Sequence, residues 1–415
     1  MDTPSAVPNR NDTNAHLVMW VACPPMAARD DLRAQCLAVL TAHWREPGFT
    51  VPNAAVYPWQ WLWDSCFCAM VWADLGRPDR ALRELDSALH HQDPGSGFVP
   101  HVVYWSDPEA LATFWGRSGT SSITQPPMYG HAVAELMRRG VAVPDDLIER
   151  SRSGLRFLLE RRRRSSGGLI QVVHPWETGA DDSPRWDDLV PGRTLESWKA
   201  MKGLLVTTIE FDPGGSPVLN DGCPIAPAGF SALVAFNAAE FAVVTDDEVL
   251  ASQAAELSEA VGSRWDPALV TWVDDGPTSS NSGRIRTLEA LCGALVDPDR
   301  NHVAAALDSL LDPSAHGARF GPTGVHRAER CFDPGTYWRG PAWPQLSYLM
   351  WVAARRAGRH DVERDLGRSL IQAARINGLA EYWNPDTAAG GGAAPQSWTA
   401  LAWTVATASA VSDRA

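Results

Sequence analysis

The sequence predicts an all-α fold, an (α/α)6 barrel in which six inner helices are ringed by six outer helices. Apolar patterns of helical period cover almost the whole chain, whereas the alternating patterns typical of strands are very few. The predicted helices come in pairs. Within most pairs the first helix is apolar on all sides and the second is amphipathic, so the first is expected inside and the second outside.

Five helical hairpins and two terminal helices make up the predicted set. The hairpins lie at about 65–92, 127–163, 228–262, 284–311 and 341–375. An amphipathic helix near 30–44 and an apolar helix near 398–410 would complete the sixth pair. In the third hairpin, Thr245 and Glu248 have the spacing of a capping box. A solenoid of helical hairpins is the alternative, but no fixed repeat length is visible.

The domain organisation follows from the same pattern. Residues 29–415 are predicted to form a single domain, preceded by an N-terminal tail at 1–28. Between about 165 and 224 there is no clean hairpin, and the composition turns toward Gly, Pro, Trp and Asp. A segment of this length without a helical pattern is usually functional or disordered. Its aromatic content favours a functional insertion.

The composition argues against several classes of function. The net charge of −13 disfavours a nucleic-acid partner, because a phosphate backbone requires a basic face. No apolar run reaches the ~18 residues that a membrane span requires, and Pro24 and Pro25 interrupt the one stretch that would suggest a signal peptide. Seven cysteines without metal-ligand spacing indicate buried free thiols in a reducing compartment. A cytoplasmic protein is therefore expected.

Tryptophan is unusually abundant, with 19 residues against six tyrosines. Many of these tryptophans lie in Pro/Gly-rich segments rather than in predicted helices. Indole faces stack well on the C–H faces of sugar rings, and the indole N–H can still donate a hydrogen bond. The same residues could equally be loop anchors, and the composition alone does not decide between the two interpretations.

Loops that lead into the inner helices of such a barrel all open on the same end. Here they hold the residues that least resemble packing residues. These loops lie at 57–64, 124–127, 337–343 and 381–385, with 174–187 contributed by the insertion. Aromatic rings, amides and carboxylates therefore converge from distant parts of the chain, as expected for a polar, ring-shaped ligand.

Two carboxylates on this rim have the chemistry of sugar-bond hydrolysis. One carboxylic acid protonates the leaving oxygen, and a second carboxylate acts on the other side of the bond. Asp181 and Glu381 are the candidates. Structural roles are the alternative: Asp181 and Asp182 could serve a turn or a cap, and Glu381 could be a surface residue or a partner for Arg339.

Other polar residues near the rim also have structural interpretations. Asp64, at the start of an apolar helix, is most simply an N-cap, although it could instead hold sugar hydroxyls. His101 and His174 have the character of hydrogen-bonded structural histidines. The arginines at 161–164 end an outer helix, where positive charge suits the helix dipole.

Four segments, taken together and in order, resemble a known family. They read Tyr57 with Trp61-Leu62-Trp63-Asp64-Ser65, Trp176-Glu177-Thr178-Gly179-Ala180-Asp181-Asp182-Ser183-Pro184, Tyr337-Trp338-Arg339-Gly340-Pro341, and Glu381-Tyr382 with Asn384-Pro385. They are similar to glycoside hydrolase family 63, above all to its bacterial mannosylglycerate and glucosylglycerate hydrolase group. The resemblance runs from about Arg33 to about Thr407. It implies an (α/α)6 barrel and hydrolysis, with inversion, of a small α-linked glucoside or mannoside.

The resemblance also implies roles for individual residues. Asp181 would be the general acid and Glu381 the base that activates water, with no metal or cofactor required. The predicted substrate-binding residues are Tyr57, Trp61, Trp63, Asp64, His101, Gln125, Trp176, Gly179, Tyr337, Trp338 and Trp343. Inversion predicts carboxyl groups roughly 6.5–9.5 Å apart, which leaves room for a water molecule. General acid catalysis predicts a raised pKa for Asp181.

Two departures from the family pattern leave the substrate open. Asp182 stands where the family often has Asn, and a second carboxylate so close would tend to raise the pKa of Asp181. The segment at about 188–224 does not show the Tyr- and Arg-bearing lid with which glycerate-specific members of the group hold their acidic aglycone. Glucosylglycerate, mannosylglycerate and other small α-glucosides or α-mannosides therefore fit equally.

Three other functions fit parts of the sequence. The pairs Asp181-Asp182 and Asp187-Asp188 are similar to the aspartate-rich motifs of magnesium-dependent helical lyases, although Gly179 and Pro184 favour a loop there. A non-catalytic sugar-binding barrel would keep the aromatic rim. A trehalase-like or oligosaccharide-trimming α-glucosidase stays within the same enzyme class. The expected partner is a small carbohydrate, and a homo-oligomer is compatible with the sequence.

Overall fold

The computed structural model describes residues 26–276 and 284–412. Most of the predicted tail at 1–28 therefore lies outside the described residues, and so does Cys23. The first helix begins at Met26, ahead of the start that the sequence predicts near residue 30.

The described residues form thirteen α-helices, which confirms the predominantly helical prediction. They are α1 (Met26–His43), α2 (Leu62–Asp74), α3 (Pro78–Ala88), α4 (Ala112–Trp115), α5 (Tyr129–Arg138), α6 (Asp145–Arg156), α7 (Leu195–Thr207), α8 (Ala228–Thr245), α9 (Glu248–Gly262), α10 (Arg300–Ser309), α11 (Pro344–Arg356), α12 (His360–Ile376) and α13 (Leu401–Ser412). One π-helical turn, Phe157–Arg161, extends α6. Five 3-10 segments lie at Pro175–Thr178, Pro184–Leu189, Ala290–Leu295, Tyr337–Arg339 and Ser397–Ala400.

Strands in the described residues are only two or three residues long and pair into five antiparallel ribbons. They are β1 (Trp44–Arg45) with β2 (Phe49–Thr50), β3 (Gln60–Trp61) with β4 (Val102–Val103), β5 (Glu210–Phe211) with β6 (Pro217–Leu219), β7 (Trp265–Asp266) with β8 (Thr271–Trp272), and β9 (Tyr382–Trp383) with β10 (Gly390–Gly391). Two of these ribbons position the site, because β3 leads directly into α2 and β9 follows Glu381.

The helices pack in two layers whose contacts run in a cycle. Helix α2 contacts α5, α5 contacts α8, and α8 contacts the 3-10 segment Ala290–Leu295. That segment contacts α11, α11 contacts α13, and α13 returns to α2. Each member of this cycle carries an outer helix: α3 packs on α2, α6 on α5, α9 on α8, α10 on the 3-10 segment, α12 on α11 and α1 on α13. The terminal helices α1 and α13 therefore form the sixth pair, as the sequence predicts.

Burial follows the predicted difference between the two members of a pair. In α2 every residue from Leu62 to Trp72 is buried, whereas in α3 burial is confined to one stripe that includes Ala81, Leu85 and Ala88. Helix α8 is the most apolar element. By length and mean hydropathy (1.5) it alone in the described part of the chain could cross a membrane, against the expectation that no run is long enough. It is 72% buried within the protein, which is what a central core helix requires.

Two predicted elements are wrong in detail. The first member of the fourth hairpin is not an α-helix but the short 3-10 segment Ala290–Leu295. The capping box is not formed, because Asp247 is the N-cap of α9 and accepts from the Leu250 amide. Thr245 instead donates to the carbonyl of Phe241. The six described cysteines are free thiols, and five of them are buried, which agrees with the prediction.

The predicted insertion at 165–224 contains more regular structure than its sequence pattern indicates. Helix α7 lies within it, capped by Thr194, which accepts from the Ser197 amide while the Ser197 hydroxyl accepts from the Thr194 amide. This capping box could not be recognised from the usual sequence pattern, because Ser197 stands at the third helical position where Glu or Gln is typical. Helix α7 contacts α4, a short helix that the sequence analysis did not predict.

Candidate active site

One cavity of about 300 Å³ lies where the rim loops meet, a volume at the lower end of the range for small-molecule sites. Asp181 and Glu381 both line it. Ten of the eleven predicted substrate-binding residues line it as well: Tyr57, Trp61, Trp63, Asp64, His101, Gln125, Trp176, Gly179, Tyr337 and Trp338. A second cavity, of about 420 Å³, lies between Asp187 and Asp188 of the insertion and residues 269, 284–286 and 329. Two of its acids, Asp187 and Glu329, are paired with Arg339 and Arg286.

The exception is Trp343, which the sequence placed in the pocket. Trp343 is fully buried, and its indole stacks on that of Trp338 with centroids 3.6 Å apart and an interplanar angle of 4°. It therefore lies behind Trp338 and does not line the cavity. The prediction is wrong here because Trp338 lines the cavity, whereas Trp343 packs against the Trp338 indole in the core.

Glu381 is held in the cavity wall by neutral donors. Its side chain accepts from the Tyr57 hydroxyl (3.2 Å) and from the Ala393 amide (2.8 Å), and its backbone carbonyl accepts from the Trp398 indole. Burial raises the pKa of Glu381. The hydrogen bonds from Ala393 and Tyr57 oppose this rise, because they stabilise the ionised carboxylate. Arg339 pairs with Asp187, so the alternative in which it pairs with Glu381 is wrong.

Asp181 lies in the loop between two 3-10 segments, and its side chain is 23% exposed. One carboxylate oxygen accepts from the Trp338 indole (3.2 Å) and the other from the Lys202 ammonium (3.4 Å). Burial raises the pKa of Asp181, Lys202 opposes the rise, and the charge of Asp182 adds to it. The predicted raised pKa is thus confirmed, and the direction of the Asp182 effect is upward. Asp182 itself pairs with Arg193 at 2.8 Å.

A buried ion pair fixes the turn that precedes Asp181. Arg162 and Glu177 are both fully inaccessible to solvent, and two nitrogens of Arg162 donate to Glu177 at 2.9 and 2.6 Å. Glu177 also accepts from the amides of Thr124 and Val173, which ties the insertion to the loop before α5. The interpretation of the arginine run as helix-dipole charge is therefore wrong for Arg162. Neither residue was predicted as part of the site.

Gly179 is required by both its conformation and its surroundings. Its φ is +74°, a backbone conformation that residues other than glycine rarely adopt. A Cβ at this position would lie 2.5 Å from the Trp63 indole. The loop backbone can therefore approach Trp63 of α2 only because residue 179 has no side chain, and Asp181 follows two residues later in the same loop.

Three polar atoms of the residues that line the cavity have no hydrogen-bond partner among the described residues. They are the Trp61 indole N–H, Asp64 Oδ1 and Gln396 Oε1, all nearly inaccessible to solvent. Buried polar atoms are normally satisfied, so an unsatisfied cluster in a cavity indicates a polar ligand. Asp64 is not an N-cap, because Trp61 occupies the N-cap position of α2 and no side chain caps the helix.

The two rim histidines have different surroundings. His174 Nδ1 accepts from the Trp176 amide, so Nε2 carries the proton and donates to the Lys202 carbonyl at 3.0 Å. Burial lowers the pKa of His174 to about 3, which keeps the ring neutral and fits the predicted structural role. His101 lies 2.5 Å from the Ser121 hydroxyl and packs edge-on against Trp61, yet it also lines the cavity.

Several residues that line the cavity were not predicted as substrate-binding residues. They are Pro52, Trp59, Tyr104, Leu111, Trp115, Gln396 and Trp398. Trp59 belongs to a rim motif that the sequence singled out, so its composition was a usable signal. Gln396 and Trp398 follow the Gly-rich turn after Glu381, and their position next to the last inner helix was the only available indication.

Residues 57–399 match the family model described as the mannosylglycerate hydrolase MGH1-like glycoside hydrolase domain. The chain belongs to this family. The predicted relationship to glycoside hydrolase family 63 is therefore confirmed, and with it the predicted class of enzyme, an inverting glycosidase. The sugar-binding barrel without catalysis and the metal-dependent lyase are not favoured.

Three similar proteins illustrate the range of the family. A mannosylglycerate hydrolase from Rubrobacter radiotolerans is 29% identical over 89% of this chain and 95% of its own length. A glucosylglycerate hydrolase from Mycolicibacterium hassiacum is 29% identical over 85% of this chain and 93% of its own. A solved structure of the family 63 mannosylglycerate hydrolase from Thermus thermophilus superposes with a TM-score of 0.79 at 23% identity, over 91% of this chain and all of that chain. The glycosidase described here shares the fold of that structure.

Proposed function

We propose that this glycosidase hydrolyses a small α-glycoside of glycerate, glucosylglycerate or mannosylglycerate, with Asp181 as general acid and Glu381 as general base. One observation carries the proposal. Two carboxylates from distant parts of the chain line one cavity together with indole faces and unsatisfied buried polar atoms. The names of relatives that match nearly their full length support glycerate as the aglycone.

The sugar that is released would occupy the part of the cavity nearest α2. Indole faces would stack on its C–H faces, and Asp64 and Gln396 would accept hydrogen bonds from its hydroxyls. Buried carboxylate and amide oxygens without partners are costly, so a sugar that satisfies them is bound in preference to an apolar ligand.

The reaction then proceeds in one displacement. Asp181 donates its proton to the glycosidic oxygen while the bond from that oxygen to the anomeric carbon breaks. Glu381 removes a proton from a water molecule whose oxygen attacks the anomeric carbon from the opposite face. The sugar leaves as the β-anomer and glycerate as the free hydroxy acid. Asp181 ends ionised and Glu381 protonated, and exchange with solvent restores both.

The finer features of the fold and location are part of the same proposal. The inner cycle of five helices and one 3-10 segment would close into an (α/α)6 barrel, with residues 29–415 as a single domain and 165–224 as its insertion. The free thiols of the described cysteines favour the cytoplasm.

A substrate screen with time-resolved NMR tests this proposal. Glucosylglycerate, mannosylglycerate, trehalose and neutral α-glycosides are compared in the presence of a metal chelator. We expect turnover of a glycerate glycoside, with the β-anomer appearing first and the chelator without effect. Appearance of the α-anomer first would overturn the acid–base assignment, and turnover of trehalose alone would overturn the substrate.

A further inference from the structure

Only two of the 36 lysines and arginines in the chain are lysines, Lys199 and Lys202. Both lie in α7, the helix within the insertion, but their positions differ. Lys199 is exposed, whereas the Lys202 side chain is 13% exposed and its ammonium touches Asp181. An ammonium is a compact charge that can rotate to a new acceptor, unlike the forked guanidinium that the rest of the chain uses.

The Lys202 ammonium lies against two indole rings, and one of them, that of Trp176, lines the cavity. Its ammonium lies 5.2 Å from the Trp176 ring centroid and 5.4 Å from that of Trp198, within the range of cation–π attraction. Its backbone carbonyl accepts from His174, which ties α7 to the loop that carries Asp181. The contact to Asp181 is the weaker part of this arrangement. At 3.4 Å it is longer than the 2.7–2.9 Å typical of a hydrogen bond between charged groups.

The other cations near Asp181 are committed to other acids. Arg193 donates to Asp182 and lies 3.2 Å from Asp187, and Arg339 holds Asp187 with two hydrogen bonds of 2.7 Å. The other titratable residues that line the cavity with Asp181 are Tyr57, Asp64, His101, Tyr104, Tyr337 and Glu381. His101 does not supply a competing cation, because burial lowers its pKa. Unlike Arg193 and Arg339, Lys202 therefore pairs with the proposed general acid, Asp181.

The contact between Lys202 and Asp181 lowers the pKa of Asp181, which is the opposite of what a general acid requires. A general acid must hold a proton, but an adjacent cation stabilises the ionised form and opposes the effect of burial on the pKa of Asp181. A ligand that takes Lys202 away would remove this opposition. If that ligand carried its own negative charge, it would favour protonation of Asp181 further.

We propose that Lys202 binds the carboxylate of the aglycone, and that its transfer from Asp181 to the substrate lets Asp181 take up a proton from solvent. This inference rests on the proposed function. Glycerate has three carbons, so its carboxylate lies one or two carbons from whichever hydroxyl oxygen carries the sugar. When Asp181 contacts that oxygen, the glycerate carboxylate necessarily lies close to Asp181 and therefore close to the Lys202 ammonium beside it. A neutral aglycone leaves Lys202 on Asp181 and the acid ionised.

The test compares Lys202→Met with Lys199→Met, which removes a lysine of the same helix without touching the cavity, and with Lys202→Arg. Two substrates are used, the glycerate glycoside and the glycerol glycoside of the same sugar. We expect Lys202→Met to lower kcat/KM for the glycerate glycoside roughly 10- to 100-fold, the range for loss of a charged hydrogen bond. For the glycerol glycoside, kcat/KM should not fall, and its alkaline limb should move to higher pH. Lys202→Arg should restore part of the preference for the acid, and Lys199→Met should change neither substrate.

Equal losses on both substrates would show that Lys202 has only a structural role, and would overturn the inference while leaving the proposed function intact. Calorimetry gives a readout that does not depend on turnover. Binding of D-glycerate and of glycerol is measured in two buffers of different ionisation enthalpy. Proton uptake with glycerate in the wild type, absent in Lys202→Met, is expected. Equal glycerate affinity and proton uptake in the two proteins would also overturn the inference. Failure of the wild type to hydrolyse any glycerate glycoside would instead overturn the proposed function.

Discussion

The two carboxylates that line the cavity are held in different ways. Glu381 lies beside a β-ribbon, and its side chain accepts hydrogen bonds from the neutral donors Tyr57 and Ala393. Asp181 lies in a loop of the insertion between a cation, Lys202, and a second carboxylate, Asp182. The loop itself is anchored from behind by the Arg162–Glu177 pair.

The difference matches what the two proposed roles require. The neutral donors Tyr57 and Ala393 stabilise the ionised form of Glu381 against the effect of burial, which suits a base. Charged neighbours make the proton affinity of Asp181 depend on which ligands occupy the site, which suits an acid that should be protonated only with substrate present. Three experiments test this difference between the surroundings of Asp181 and those of Glu381.

The largest expected effect comes from neutralising each carboxylate in turn. Asp181→Asn and Glu381→Gln should each lower kcat on a glycerate glycoside by about 10³-fold, within the range for loss of an acid or base catalyst. A nitrophenyl α-glycoside separates them, since nitrophenolate leaves without protonation. Asp181→Asn should keep most activity on that substrate and Glu381→Gln should not. The reverse pattern would exchange the two roles.

The buried Arg162 that anchors the acid loop should contribute more to stability than its exposed neighbour Arg163 does. Arg162→Met leaves the Glu177 charge buried and unpaired, and is expected to reduce the free energy of unfolding by about 3–5 kcal/mol. Arg163→Met is the matched control, because Arg163 is exposed and its loss should cost about 0.5 kcal/mol or less. Urea unfolding measures both. Equal stabilities of the two variants would mean that the pair is not needed to hold the loop.

The smallest effect is a shift in pH dependence on the base side. The Tyr57 hydroxyl lowers the pKa of Glu381, so Tyr57→Phe raises it. A base must be ionised, and activity is lost as the pH falls through its pKa. The acidic limb of kcat/KM should therefore move to higher pH in Tyr57→Phe, with the alkaline limb little changed. Tyr104→Phe is the control, since Tyr104 also lines the cavity but pairs with Trp115 rather than with Glu381. A shift of equal size in both variants would contradict the assignment.

Helix pairing and the rim were predictable because their signals are local. The burial of a helix such as α2 or α8 can be predicted from its own residues, because they are apolar on all sides. An outer helix can be recognised because its apolar residues lie along one side only. The predictions failed where a contact between side chains was inferred from sequence spacing alone. The Thr245 capping box failed because Asp247, two residues later, was a better N-cap.

From the sequence alone we could predict the helical fold, the family, the two carboxylates and ten of the residues that line the cavity with them. Three contacts are visible only in the folded structure: Trp343 lies behind Trp338, Arg162 is buried against Glu177, and Lys202 touches Asp181. The physical reason is the range of the interactions. Periodicity and motif spacing are properties of neighbouring residues, whereas stacking order and ion pairing depend on how distant segments approach once the chain has folded. The difference between the surroundings of Asp181 and Glu381 belongs to that second class.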